Sequence, residues 1–408
     1  MPRSLTLDDL SLKDKVVLVR VDFNSPVDPE TKRLLDDTRI KAHGQTTIKE
    51  LAEKGAKVVV LAHQGRPGGA DFIGLKQHAE RLGKILGRPV EYVDDLYGEE
   101  ARNAARGLRS GEVLVLKNTR TYPEEQKSRS PEEHAESEFI EGLAPVADVF
   151  VNDAFSAAHR SHASVVGFTA VLPSVAGRIM ERELKALSRV LEAPEKPCVF
   201  ILGGAKADDS LEISKYVLKN NIADYVLTGG ITGHLFLFAT GVDLGKPNME
   251  LLEKQEVLGL VPGIKQLMKT YPGRVMVPAD VAVEADRERK ELSVSDLPTE
   301  YPIFDIGTET IRQYSQIIIE AKSIVISGPP GVYEREDFLK GTKGILEAVA
   351  ASKAFSLVGG GHTVAAVTEL GIADKMSYIS TAGGALIEFL MGRRLPGVTA
   401  LKKSAKGN

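Results

Sequence analysis

Short apolar runs recur along the whole chain and alternate with stretches of helical periodicity. Strands are expected at residues 16–20, 58–61, 90–93, 113–116 and 149–151, with helical patterns at 39–54, 75–86 and 131–143 between them. Further on, strands are expected at 199–202, 225–227, 275–277, 324–326, 355–358 and 376–379. A strand–helix–strand rhythm of this kind implies crossover units and a parallel sheet. In such a sheet the carboxyl ends of the strands line one crevice, and ligands bind there. The turns that follow the strands are therefore the places to look for chemistry.

A chain of 408 residues is long enough for two domains, each with its own core. The expected fold class is α/β, with two doubly wound, Rossmann-like parallel-sheet domains joined by a connecting helix and hinge. The boundary is placed near residues 175–197. There Ile179, Met180, Leu184, Leu187, Val190 and Leu191 form one apolar stripe, and Pro194 and Pro197 end it. The pattern alone also admits an ordinary crossover helix inside one large sheet. Residues 392–408 are broken by Gly and Pro, are basic, and by themselves read as a frayed tail. A net charge of −4 gives no general attraction for nucleic acid or anionic membrane. The single cysteine, Cys198, opens an apolar run and reads as a small buried hydrophobe. No signal-like apolar stretch opens the chain and no window suits a membrane span, so a cytoplasmic protein is expected.

The turns of the first half carry cations. They are Asp22-Phe23-Asn24 after Arg20, then Arg39, then His63-Gln64-Gly65-Arg66, then Arg120, then Arg160 beside His159 and His162. Guanidinium groups collected at one sheet edge make a pocket for a multiply charged anion. The turns of the second half carry glycine instead: Gly203-Gly204-Ala205-Lys206, Gly229-Gly230, Gly328 to Gly331, Gly359-Gly360-Gly361-His362-Thr363 and Gly383-Gly384. Glycine allows close approach of backbone to a ligand, and helix N-termini favour phosphate. No Walker-type loop is present, and no dinucleotide fingerprint follows the first strand. One cationic pocket and one pocket of peptide N–H groups suit transfer of a phosphoryl group between two ligands.

These segments resemble phosphoglycerate kinases. The resemblance is carried by RVDFNSP (residues 20–26), TRIKA (38–42), AHQGRP (62–67), LKNTR (116–120), VNDAFSAAHRSHAS (151–164), ILGGAK (201–206), GPPGVYE (328–334), FLKGTK (338–343), GGGHT (359–363), STAGGA (380–385) and LPGVTAL (395–401), in the family's order. Their details are similar to the archaeal branch. The resemblance implies a 3-phosphoglycerate domain at 1–177 and a nucleotide domain at 178–390, with residues 391–408 returning to the first. It implies reversible, hinge-bending transfer between 1,3-bisphosphoglycerate with ADP and 3-phosphoglycerate with ATP, in glycolysis and gluconeogenesis. ATP/ADP is the implied co-substrate and Mg²⁺ the implied metal. No nucleic acid or membrane partner is implied, and the chain is expected as a monomer or homodimer.

Carried over by matching position, Asp22 and Asn24 would hold the hydroxyl and carboxylate end of the glycerate, within a substrate set that includes Phe23, Gln64 and Gly65. Arg39 would reach the transferring group, while His63, Arg66, Arg120 and Arg160 would grip the distal phosphate. Lys206 would meet the nucleotide phosphates and Glu334 the ribose. Gly360, Gly361, His362 and Thr363 would serve the phosphate end, with Gly203, Gly204, Gly229, Gly230 and Gly359 around them. Gly383 and Gly384 would offer N–H groups to the transferred phosphoryl. Arg39, Lys206, Gly383 and Gly384 form the expected catalytic set. When 3-phosphoglycerate is the acceptor, the attacking carboxylate is already ionised at neutral pH, so no general base is needed. The chain departs from the family on the nucleotide side: His362 stands where an Asp holds Mg²⁺, Ser210 where a Lys is common, Ser327 where an Asn is frequent, and Ala382 within a glycine run. The metal ligands are thus left unassigned, and His362 reads equally as a ligand contact or as helix-start packing. The alternative function is an impaired phospho-ligand-binding pseudoenzyme of the same fold. A nicotinamide-dependent oxidoreductase would share the architecture but lacks its fingerprint.

Overall fold

The computed structural model describes residues 4–407, so residues 1–3 and 408 of the expected domains lie outside it. The chain forms two compact units, Met1–Leu184 with Arg394–Asn408, and Lys185–Arg393.

Unit 1 is built on β1 (Val16–Arg20), β2 (Lys57–Leu61), β3 (Glu91–Tyr92), β4 (Val113–Val115), β5 (Val149–Asn152) and β6 (Ser174–Ala176). They form one parallel sheet in the order β3-β4-β2-β1-β5-β6. Successive side chains of a strand face opposite ways. Val17, Val19, Val58 and Val60 accordingly enter one core. Leu18, Val59, Leu61 and Leu114 enter another on the far side. Both faces are therefore covered, as a parallel sheet requires. The chain reverses its direction of winding between β1 and β5. Register then decides what stands at that switch point. Arg20 pairs with Leu61 and with Asn152, so Asp22, His63 and Asp153 emerge nearly level beyond the strand ends.

Helix α1 (Thr38–His43) lies beyond β1 and runs on to Glu53 through a wider turn at Gly44–Ile48. Helix α2 (Arg178–Leu191) follows β6 and carries the chain from unit 1 into unit 2. The division falls inside this helix, between 184 and 185, rather than before it at 177 and 178. The helical pattern at 131–143 resolves into two helices, Pro131–Ala135 and Glu138–Leu143, because the Ser137 side chain accepts from Ile140 N and starts a new one.

Unit 2 contains β7 (Cys198–Leu202), β8 (Tyr225–Thr228), β9 (Val275–Met276), β10 (Asp280–Ala285), β11 (Glu288–Ser293), β12 (Ile303–Ile306), β13 (Ser323–Ser327), β14 (Phe355–Gly359) and β15 (Tyr378–Ile379). Its parallel sheet has the order β15-β14-β13-β7-β8-β9, with the switch point between β7 and β13. Here Leu202, Ser327, Gly359 and Thr228 share a level, which sets Gly203, Gly328, Gly360 and Gly229 side by side at the edge. Helix α3 (Ala207–Lys219) follows β7, α4 (Gly361–Glu369) follows β14, and α5 (Gly384–Leu390) follows β15. The strands β11-β10-β12 form a separate antiparallel sheet that the sequence pattern did not reveal. Asp286 and Arg287, both at positive φ (55° and 66°), make its two-residue turn. The acidic-basic run at 286–291 supplies this turn and the first part of β11.

Helix α6 (Pro396–Gly407) lies against unit 1, where Gly397 N donates to Ala158 O at 2.9 Å. Ala400 joins Ala154, Ala157, Val165 and Val166 in a small core, so residues 396–407 are a packed helix rather than a frayed tail. Cys198 is buried and unpaired, and burial pushes its thiol up to about 12, which leaves it inert. No helix among the described residues is long and apolar enough to cross a membrane.

Candidate functional site

In unit 1 the expected site residues gather beyond β1, β2 and β5. Asp22 is the hub. Its carboxylate receives Arg39 from α1 and the Ser156 hydroxyl, and its Oδ1 accepts from Asn24 N at 3.0 Å. Burial would raise this carboxyl, but the Arg39 guanidinium and the Ser156 hydroxyl hold it low. Asn24 Oδ1 accepts from Gly65 N at 2.8 Å and ties the first turn to the second.

The distal cations surround a buried arginine. Arg20 is 1% exposed. Its Nε donates to Ser164 Oγ at 2.8 Å and its Nη2 to His63 Nδ1 at 3.0 Å. Guanidinium only donates, so His63 accepts at Nδ1 and carries its proton on Nε2, available to an anion. Burial first, then the Arg20 charge, drives His63 well below its ordinary range and keeps it neutral. Glu125, buried and held by Ser164, compensates Arg20. Arg120 donates to Gly65 O, and burial followed by the charges of Arg160 and Arg20 lowers it to about 10. Arg66 adds to the same crowding and is itself exposed. Arg160 is oriented through its Nε by His159 Nε2 at 3.2 Å. Cations held this close favour a dianion among them.

Two of the expected site residues turn their side chains into the protein. Gln64 is fully buried, with its amide committed to Ser25 N (2.9 Å), Ser25 O (3.0 Å) and Asp71 O (3.1 Å). The Phe23 ring is buried against His78 and His43. Both shape the loop and present no side chain to a ligand. Gly65 has φ +67°, and a Cβ there would stand 2.4 Å from Asp71 O, so the turn admits only glycine.

In unit 2 the edge of the sheet bounds a cavity of about 410 Å³ that Gly203, Gly204, Lys206, Gly360, Gly361, His362, Thr363, Gly383 and Gly384 all line. Lys206 lies at the start of α3, with its side chain 80% exposed. Asp209 lines the same cavity, and burial with the neighbouring Asp208 raises its carboxyl. His362 is exposed at the mouth, 3.4 Å from Glu334, so it does not pack at the helix start. Thr363 is buried and its Oγ1 accepts from Gly328 N at 2.8 Å, which holds one turn against the next.

The remaining glycines serve packing. Gly229 N donates to Leu202 O and Gly230 N to Pro330 O, and a Cβ on Gly229 would meet Pro330 Cβ at 2.5 Å. A Cβ on Gly359 would lie 2.0 Å from Leu386. These three let neighbouring turns close and do not line the cavity.

The phosphoglycerate kinase family profile matches residues 7–393. The chain belongs to the phosphoglycerate kinase family. It is 49% identical to the phosphoglycerate kinase of Methanobacterium bryantii over 396 residues, which cover 97% of this chain and 96% of that one. With the enzyme of Methanothermobacter thermautotrophicus it shares 48% identity, covering 98% of this chain and 97% of that one. The crystal structure of phosphoglycerate kinase from Pyrococcus horikoshii superimposes with a TM-score of 0.89 at 39% identity, covering 99% and 100% of the two chains. As a phosphoglycerate kinase the chain is a phosphotransferase with a carboxyl group as acceptor.

Against that family pattern, Ser210 donates its hydroxyl to Lys206 O at 3.1 Å and faces into its helix, offering no cation to the cavity. Sequence reasoning missed Ser156, Asp209, Arg20 and His43. Ser156 and Arg20 lay inside quoted segments, but only the fold aims them at Asp22 and His63.

Proposed function

We propose that unit 1 binds 3-phosphoglycerate and unit 2 binds ATP, and that the chain moves the γ-phosphoryl group reversibly between them. The observation that carries the reading is that each sheet has its ligand-binding residues at its own switch point, cationic in unit 1 and glycine-lined in unit 2. Asp22, ionised, would accept from the glycerate hydroxyl. His63 Nε2–H, Arg66, Arg120 and Arg160 would hold the distal phosphate. Arg39, half-exposed beside Asp22, would neutralise charge on the transferring group. Lys206 and the backbone of Gly360, Gly361, Gly383 and Gly384 would receive the nucleotide phosphates. A carboxylate acceptor needs no proton removed, so these groups position and neutralise rather than act as acid and base.

Among the described residues no group of three or more His, Cys, Asp or Glu side chains is arranged to hold a metal alone. Magnesium bound with a nucleotide takes one or two carboxylates plus phosphate oxygens and waters. Asp209, the carboxylate lining the cavity, fits that requirement and would stand in for the family's Asp at His362. The ion would supply charge neutralisation to the polyphosphate. Both substrates are charged metabolites of the cell interior, so the proposed reaction runs in the cytoplasm.

A coupled assay following ADP formation from ATP, Mg²⁺ and 3-phosphoglycerate tests the reading, and a folded sample without turnover rejects it. Titrating Mn²⁺ by electron paramagnetic resonance, with ADP present, tests the metal assignment. Asp209→Asn is expected to weaken Mn²⁺ retention about tenfold or more; unchanged retention would remove Asp209 from the site.

A further inference from the structure

Helix α1 presents Arg39 and His43 one turn apart, and both fasten on Asp22. Arg39 pairs with the carboxylate, while His43 Nε2 accepts the Asp22 backbone N–H at 3.2 Å. A backbone N–H can only donate, so Nε2 carries no proton and the ring hydrogen sits on Nδ1. Nδ1 donates it to Asp153 Oδ2 at 2.6 Å. Asp153 is fully buried, and its other oxygen accepts from Ile179 N at 2.8 Å and Met180 N at 3.3 Å, in the first turn of α2. A Cβ on Gly177 would stand 2.3 Å from Asp153 Oδ1, so the chain is shaped to bring that turn onto the carboxylate. His43 is 5% exposed, with the Phe23 ring edge-on to it at a centroid separation of 6.4 Å. It touches no ligand position, and an apolar side chain would fill its space more simply.

We propose that His43, held in its Nδ1–H tautomer by Asp153, is a positioning residue for the glycerate: it fixes the Asp22 backbone and so the direction in which that carboxylate faces the substrate hydroxyl. The proposal rests on the reading of Asp22 as a glycerate ligand. The same three residues tie the acceptor site to the root of the helix that leaves unit 1.

Steady-state kinetics of His43→Leu, His43→Gln, Asp153→Asn, the Leu/Asn double variant and Asp22→Asn test it. Removing the single acceptor in His43→Leu should raise KM for 3-phosphoglycerate up to about tenfold. KM for ATP and kcat should change by less than about twofold, because only ground-state placement of one substrate is lost. His43→Gln can still accept the Asp22 N–H and should restore most of the loss. In Asp153→Asn the amide can donate to Nδ1, which forces the proton to Nε2 against another donor. KM should rise as in His43→Leu although an oxygen remains for α2. In the double variant the Asp153→Asn effect should disappear. Imidazole ¹⁵N spectra should show the Nδ1–H form in the native protein and Nε2–H in Asp153→Asn. An unchanged KM in a folded His43→Leu, additive effects in the double variant, or a native Nε2–H tautomer would each overturn the proposal. If Asp22→Asn leaves that KM unchanged, the underlying site reading fails instead.

Discussion

Arg39 is held in place by a buried carboxylate yet remains 41% exposed in its side chain, an arrangement that suits the proposed neutralisation of the transferring group. Arg39→Ala should lower kcat by about a hundred- to a thousandfold, the usual cost of removing one group that stabilises developing charge. Nucleotide affinity, governed by unit 2, should stay within about twofold by calorimetry. A variant retaining most of its turnover would refute the assignment. The role proposed for Arg39 comes from the resemblance of TRIKA to the family, since an arginine alone on a helix reads as solvated surface. The roles of Arg20 and His43 are not legible in the sequence: each is buried, and whether a buried polar group supports a site depends on what the fold brings opposite it.

At the scale of elements, the cavity proposed for the nucleotide exists because glycine turns from β7, β13 and β14 press together. Gly328 has φ +89°, and a Cβ there would meet Gly203 O at 2.2 Å. Gly328→Ala should cost at least about 2 kcal/mol of stability through strain and displacement of the neighbouring turn. Urea unfolding should show a lower midpoint, with ADP binding lost in the same variant; an unchanged midpoint would show that the turns are independent. The sequence displays these glycines plainly but does not separate those that line the cavity from those that only permit packing. The hairpin β10–β11 was hidden for a related reason. Its turn is Asp286-Arg287, without the glycine that normally marks such a turn. Its strand carries charge because Arg289 turns inward to Asp305 at 2.8 Å.

Across the whole molecule, four histidines are held neutral by desolvation, His63, His78 and His234 fully inside the fold and His162 half-buried. His78 and His234 are lowered to about 4 and His162 to about 3 by burial. His63 is lowered for the same reason. The unfolded chain binds protons near pH 6.5 that the folded protein refuses, so stability should fall as pH drops below about 6.5. His234 alone accounts for up to roughly 3 kcal/mol across that window. Asp305, raised to about 6 by burial, opposes the trend, since its proton is bound more tightly when folded. Asp209 and Glu125, also raised by burial, oppose it too; the four histidines outnumber these three carboxyls, and calorimetry should give a lower Tm at pH 5 than at pH 7. His234→Leu should flatten that slope, and a Tm independent of pH over this range would contradict the buried-neutral assignment.

What the amino-acid order determined alone was local and periodic. Short apolar runs between helical stretches dictate parallel sheets, and the residues that follow each run stand at the sheet edge where ligand sites are expected. What tertiary structure decided was register and opposition. Pairing Arg20 with Leu61 and Asn152 brings Asp22, His63 and Asp153 to one level. Packing of α6 over Ala154 and Val165 makes a helix of a segment that looked frayed. Such outcomes rest on contacts between residues far apart in the chain, and a side chain's burial, charge state and tautomer are properties of those contacts rather than of its neighbours in sequence.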